Sequence, residues 1–308
     1  MAGFYNHVGL NISNSKLQLV EIFSGPEQIR LDNIAEVNFS DRINFENDKS
    51  TKILAQLQSA YDEIRLSKSI RSKKFSFALP LELFYVVQLP YDNTLLHQDI
   101  ISEFRWEYSI LFPHKDAEEF ILVYKQIDKN SFIRQNSAIV YGIERKYLQL
   151  LQSFCRQNNL SLGYIDNMHL AAEKALRVSD SYSKRGLSLS VYLSENYFSL
   201  IFTLNGQLIY QSIHKLNSLE DAGRLIKDKI ESNKILKVKK DIIQTSYVTG
   251  SIPFDKYIGR LNFYTGLNFI KYNPFDRIIS GPKIEDDAAL KKISNRFSSA
   301  AGIAFRIA

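Results

Sequence analysis

The chain has 308 residues, 45% hydrophobic and 23% charged, with 39 Lys and Arg against 33 Asp and Glu for a formal net charge of +6. This balance excludes disordered, collagen-like and coiled-coil chains. A single core stops growing near about 250 to 300 residues, so two lobes are expected. The one cysteine, Cys155, excludes an intramolecular disulfide and a multi-thiolate metal site and fits a reducing compartment. The chain opens without a charged start and apolar core, and no window approaches ~18 consecutive apolar residues, so a cytoplasmic protein is expected that reaches a membrane only through a partner.

Strand-like runs at Val8 to Ile12, Leu17 to Phe23 and Gln28 to Phe39 form a meander that turns at Ser24-Gly25-Pro26. Helical spacing of Ile53, Leu54, Leu57, Ala60, Tyr61 and Ile64 predicts a helix over Lys52 to Leu66, followed by an apolar strand at Phe75 to Pro80. A strand (Phe84 to Leu89), a helix (Thr94 to Leu111) and two strands (Phe120 to Ile127, Ser137 to Ile143) come next, punctuated by Pro90 and Pro113. Together they suffice for a small inserted subdomain. A helix at Lys146 to Asn159, a strand at Leu162 to Ile165 and a helix at Met168 to Val178 complete the first half. Alternating strands and helices make this an α/β protein.

Ser179 to Gly186, polar and ending in glycine, is the boundary between lobes. Beyond it Leu187 to Tyr192, Phe198 to Leu204 and Gln207 to Ile213 repeat the meander, followed by a helix at Ser218 to Ile230. The two stretches superpose without a gap: Asn11-Ile12-Ser13 falls on Tyr192-Leu193-Ser194, Leu17 on Phe198, Leu19 on Leu200 and Gly25 on Gly206. Duplication explains both the repeat and the two-lobe length.

A duplicated meander with following helices resembles the actin-like ATPase superfamily, in which the turn after each lobe's first strand carries Asp-x-Gly. The carboxylate there holds water around magnesium, and the glycine lets backbone N–H groups approach a phosphate. Within that superfamily, several segments resemble the PilM family of type IV pilus assembly. Val8-Gly9-Leu10-Asn11-Ile12-Ser13 resembles its first phosphate hairpin, and Phe77-Ala78-Leu79-Pro80, Gln88-Leu89-Pro90, Arg105-Trp106-Glu107 and Phe112-Pro113 resemble its inserted subdomain, shared with FtsA. Ile165-Asp166 with Leu170-Ala171-Ala172 resembles the connecting helix, Val248-Thr249-Gly250 a worn adenosine-side turn, and Asn273-Pro274-Phe275 and Ser298 to Ala304 the closing segments. GspL-type secretion proteins share this cytoplasmic fold.

The resemblance implies an actin-like (ribonuclease H-like) two-lobe fold, with 1–82 and 145–180 as first lobe, 83–144 as inserted subdomain and 187–308 as second lobe. At the two phosphate turns, however, the acidic positions are Asn11 and Tyr192 and the glycine positions Ser13 and Ser194. The magnesium-favouring carboxylates are missing, and each serine adds a Cβ where backbone must nearly touch phosphate. Ser13, Ser15 and Ser194 can still donate to an anion, while Asp166 and Gly250 complete a degenerate cleft in which ATP and magnesium bind weakly at most. Asp166 also reads as a helix N-cap. No cofactor is expected.

The resemblance further implies a partner. In PilM relatives the cleft between first lobe and inserted subdomain accepts the cytoplasmic N-terminal segment of the membrane protein PilN as an extended peptide. Here Phe84 to Leu89, Phe120 to Ile127 and the helix carrying Arg105 border that cleft, with Arg105 and Trp106 as candidate contacts. Self-association is the other contact implied. The expected function is a non-catalytic scaffold of a type IV pilus or type II secretion-like machine, on the cytoplasmic face of the inner membrane.

Two other readings compete: a working ATPase with atypical turns, or a basic module binding nucleic acid or anionic lipid through Lys227 to Lys240. The spread of positive charge favours a solvated helix face for that run. His7, His97, His114, His169 and His214 are isolated from one another, and no Gly-x-Ser-x-Gly, Gly-x-Gly-x-x-Gly or Walker-type loop occurs.

Overall fold

The computed structural model describes residues 5–25, 29–237, 239–253, 255–280 and 293–306. Strands β1 (Tyr5–Ile12), β2 (Lys16–Ser24) and β3 (Ile29–Asn38) form the opening antiparallel meander. The expected turn at Ser24-Gly25-Pro26 runs into 26–28, outside the described residues. Helix α1 (Ser50–Ser67) turns Ile53, Leu57, Ala60, Tyr61 and Ile64 inward, and β4 (Lys74–Leu79) pairs parallel with β1. After an excursion through β5 (Phe84–Pro90), α2 (His97–Leu111), β6 (Phe120–Ile127) and β7 (Ser137–Glu144), helix α3 (Arg145–Gln157) leads back to β8 (Ser161–Asn167), parallel to β4. Helix α4 (Met168–Val178) then leaves the first lobe.

The second lobe begins with β9 (Leu187–Leu193), β10 (Tyr197–Leu204) and β11 (Gln207–Lys215), and continues through α5 (Ala222–Glu231), β12 (Ile243–Gly250), α6 (Asp255–Thr265) and β13 (Phe269–Lys271). Its sheet runs β11-β10-β9-β12-β13, and the first runs β3-β2-β1-β4-β8 with β14 (Ile279–Ser280) added outside β3. Both contain two antiparallel pairings followed by two parallel ones. The hairpin register repeats as well: Ile12 faces Leu17, and Leu193 faces Phe198, each pair member 181 residues on. The duplication seen in the sequence is therefore a duplication of topology.

Some boundaries move for local reasons. Asp92 accepts hydrogen bonds from the backbone N–H and hydroxyl of Thr94, so a turn holds the chain where the helix was expected and α2 starts at His97. Ser218 caps a short 3-10 turn, Leu219–Asp221, ahead of α5. That helix ends at Glu231, so only Lys227 and Lys229 lie on a helix face, and Lys234, Lys237 and Lys239 follow in exposed connecting chain. Helix α6 and strands β12 to β14 were not resolved as elements by the sequence pattern, because their apolar runs are short.

The second lobe drawn as 187–308 does not close on itself. Strand β14 pairs with β3, and the last helix, α7 (Ser298–Ala304), lies against α4 and the first sheet. A Cβ on Gly302 would fall 1.7 Å from the Ala171 carbonyl oxygen, and one on Gly9 would fall 2.1 Å from that of Ala300. Helix α7 is thus held at backbone distance from α4 on one side and β1 on the other. His7 fixes its end: Nδ1 donates to the Ala304 carbonyl at 2.6 Å, and Nε2 accepts from Ser76 Oγ at 2.8 Å. The first sheet is consequently covered on both faces, by α1 and α3 on one and by α4 and α7 on the other, and β1 is buried from His7 to Ile12. Among the described residues no helix is long and apolar enough to cross a membrane.

Gly302→Ala should lower stability by about 2 to 3 kcal/mol by overpacking this seam. Gly259→Ala on α6, whose Cβ meets nothing within 4 Å, should be neutral or slightly stabilising. Denaturant midpoints check both. Burial, opposed by the Ala304 carbonyl and assisted by Lys74, lowers the His7 pKa to about 4. The unfolded chain therefore binds a proton that the folded chain refuses, and this contribution to stability, complete above about pH 6.5, is lost as pH falls towards 4. His7→Gln should flatten the stability slope in that window by up to about 1.4 kcal/mol per pH unit.

Candidate functional site

The two phosphate-type turns face each other across the interlobe cleft, and each is closed by its own serine. Ser13 N–H donates to the Lys16 carbonyl at 3.0 Å and Ser194 N–H to the Tyr197 carbonyl at 2.9 Å. The hydroxyls repeat the pattern, Ser13 Oγ donating to Lys16 O at 3.1 Å and Ser194 Oγ to Tyr197 O at 2.9 Å. Ser13 Oγ also accepts from the backbone N–H groups of Ser15 and Lys16. The N–H and hydroxyl of Ser13 and Ser194 are therefore already paired within the turns.

Ser13, Ser15 and Ser194 line the cleft together with Glu82, Tyr197 and Ser251, around a cavity of about 20 Å³, room for about one water. Asn11 lies behind the turn, fully buried, its Nδ2 donating to Gln18 Oε1 at 2.8 Å. Tyr192, the matching residue of the second lobe, is also buried; its hydroxyl sits 3.1 Å from Ser299 Oγ and its ring packs among Leu81, Met168 and Ala172. Arg42 of the first lobe pairs with Glu195 of the second across the mouth. Gly250 is buried beside the second turn for a packing reason: a Cβ there would meet the Leu193 carbonyl oxygen at 2.1 Å, so it permits close parallel pairing of β12 with β9.

Asp166 is not in this cleft. It ends β8 on the other side of the sheet, where its Oδ2 accepts from Arg306 Nε at 2.6 Å. Burial pushes its pKa up, and the Arg306 charge and hydrogen bond oppose that shift. The N-cap of α4 is the next residue, Asn167, whose Oδ1 accepts from the N–H groups of His169 and Leu170. The carboxylates that do line the interlobe cleft are Glu195, paired with Arg42, and Glu82, whose pKa is likewise raised by burial. Sequence reasoning passed over Glu82 because it follows a Leu-Pro strand end. Among the described residues no group of three or more His, Cys, Asp or Glu could hold a metal ion.

A second opening, the groove to which Asp166 belongs, holds about 360 Å³ between α4 and the inserted subdomain, while a shallower one of about 590 Å³ lies at the mouth of the interlobe cleft around Arg42, Glu82 and Tyr197. The subdomain is a three-stranded sheet of order β5-β7-β6, with α2 on its outer face: Tyr108 donates to the carbonyls of Tyr85 and Val140, and Phe104 packs with Phe120 and Val140. The inner face carries Phe84, Val123, Lys125 and Tyr141 into the groove, opposite Leu170, Lys174 and Arg177 of α4. Strand β6 is an edge of that sheet, and Val123 on it is 61% exposed. Such an edge leaves backbone N–H and C=O groups free to pair with another extended segment.

Arg105 and Trp106 do not line the groove, because α2 sits on the opposite face of the sheet. Arg105 Nη1 donates to the carbonyls of Ala117 and Phe120, bracing the chain into β6. Trp106 is 61% exposed on the outer side, near exposed Ile110 and Leu111. The groove residues Val123, Lys125, Lys174 and Arg177 were missed individually; the period-2 alternation of β6 places Val123 and Lys125 on one face but does not say what faces them.

No family model matches the chain, and no curated protein matches it. Among solved structures, a PilM-PilN type IV pilus biogenesis complex matches 97% of this chain and 98% of that chain at 17% identity, with a TM-score of 0.75. A Bacteroides thetaiotaomicron protein of actin-like ATPase fold and unknown function matches at 13% identity, 96% and 94% coverage and a TM-score of 0.52. The cytoplasmic domain of EpsL, an inner-membrane component of the Vibrio cholerae type II secretion system, matches at 10% identity, 81% and 84% coverage and a TM-score of 0.50. At these identities the likeness is one of architecture, and with the repeated sheet order it gives the chain the actin-like ATPase fold, elaborated by an inserted subdomain.

Proposed function

We propose that the chain is a non-catalytic scaffold of a type IV pilus or type II secretion-like machine, working at the cytoplasmic face of the inner membrane by holding an extended segment of a PilN-like membrane protein. The groove between α4 and the edge strand β6 carries this reading. It offers about 360 Å³ with a free strand edge and the exposed apolar side chain of Val123, which suits an added strand. The solved PilM-PilN complex, similar over nearly the whole chain, supports a partner of that kind.

The interlobe cleft argues against nucleotide chemistry in the same molecule. The Ser13 and Ser194 hydroxyls are paired within their own turns, Tyr192 packs behind them, and among the described residues no group of three or more His, Cys, Asp or Glu could hold a metal ion. Partner recognition, then, and not hydrolysis is the work assigned to this fold.

Two measurements test the proposal. A nucleotide at a hundredfold its Kd would stabilise the protein by about 2.7 kcal/mol, so millimolar ATP with magnesium should leave the melting temperature unchanged; a saturable rise would overturn the degenerate-site reading. A synthetic peptide copying the cytoplasmic N-terminal segment of a PilN-like protein from the same organism should bind the wild-type chain. Val123→Gln should weaken that binding about tenfold, or 1.4 kcal/mol, without lowering the melting temperature. Trp106→Ala, on the outer face, should leave the affinity unchanged, and the opposite pattern would move the partner to α2.

A further inference from the structure

The groove is chemically lopsided. Its charged lining comes from four elements: Lys125 on β6, Asp166 on β8, Glu173, Lys174 and Arg177 on α4, and Arg306 beyond α7. Asp166 is taken by Arg306 at 2.6 Å. Glu173 is 6% exposed, and burial raises its pKa towards the uncharged form, with a hydrogen bond from Ser190 and the Arg177 charge opposing. Its Oε1 is buried without a hydrogen-bond partner. Among the described residues, Lys125, Lys174 and Arg177 make no ion pair or side-chain hydrogen bond. Three cations thus converge on one opening whose own carboxylates are already engaged or buried, Asp166 by Arg306 and Glu173 within the wall.

Mutual repulsion has a visible consequence. Burial, then the charges of Arg177 and Arg306, hold the Lys125 ammonium below the usual lysine value, and burial followed by Arg306 and Arg177 does the same to Lys174. An anion seated between them would relieve both. Cations gathered along a groove discriminate among ligands more than they add affinity, because they attract an acidic occupant and repel a basic one.

We infer that the segment bound in this groove carries an acidic side chain, seated against Lys125, Lys174 and Arg177 while its backbone pairs with the edge of β6. The inference rests on the groove reading and adds the chemistry of the occupant.

A random-peptide display library selected against the full chain tests this. Binders that Val123→Gln weakens are groove-dependent. Those peptides should share Asp or Glu at one position, replacing that residue by Ala should cost at least tenfold in affinity, and raised salt should weaken binding further. The Lys125→Glu/Arg177→Glu variant should instead enrich Lys or Arg at the same position. Should it fail to fold, the Lys125→Gln variant, altering a single exposed residue, should lose the preference for acid. Groove-dependent peptides with no acidic preference would overturn the inference and leave the groove reading standing; a selection yielding no groove-dependent peptide would overturn both.

Discussion

The contact on which the rest of the molecule depends is the approach of α7 to α4. Gly302 leaves no side chain between the helix and the Ala171 carbonyl, and Ala172, Ala175, Ala300, Ala301 and Ala304 keep the surrounding seam equally thin. Two helices brought this close fit between the sheets of the two lobes and become part of both. Ser299 donates to Met168 O, Tyr272 to Ala172 O, and Thr249 to Asn295 O, so second-lobe strands are tied to both helices by hydrogen bonds out of reach of water. Buried bonds of this kind cost more to leave unmade than they contribute when made, which penalises any sliding of one lobe over the other.

That seam also sets the character of the two clefts. On one side, the helices carry Met168 and Ser299 up against Tyr192, and the space between the phosphate-type turns shrinks to about 20 Å³. The Arg42 to Glu195 pair marks the closure more than it causes it, since exposed ion pairs contribute little. On the other side, α4 turns Leu170, Lys174 and Arg177 towards the inserted sheet, and the chain leaving α7 brings Arg306 to Asp166. In the first cleft the Ser13 and Ser194 hydroxyls are taken by neighbours in their own turns. Several polar groups in the second are not, and unsatisfied groups at an accessible edge are what a ligand can use.

Much of the architecture is legible from residue patterns because it is written in local periods. The two hairpins keep the same register 181 residues apart since a one-residue slip would turn every core side chain outward. Helix α4 and strand β6 fall on the bounds that their apolar spacing predicts. The strands β12 to β14, two to eight residues long, and helix α6, of eleven, escape the same reasoning because they give too few periods. Among candidate site residues, Ser13 and Ser194 face the cleft as their place in the turns implies, whereas Asp166 and Arg105 do not. Each is turned by a partner remote in sequence or by the face its element presents, Asp166 by Arg306 at 140 residues' separation and Arg105 by the chain entering β6.

The sequence by itself determined the repeated meander and the run of three strands and a helix within 83–144, because each is a property of neighbouring residues and their alternation. Only the tertiary structure decided that the space between the two turns is filled while a groove remains on the other side of α4. Cleft volume depends on how segments from the two ends of the chain pack together, and the last helix, arriving after every strand has been laid down, fills one side of α4 and leaves the other side bare. No local period encodes that choice; it follows from the close packing of small side chains, which lets a seven-residue helix occupy the middle of the molecule.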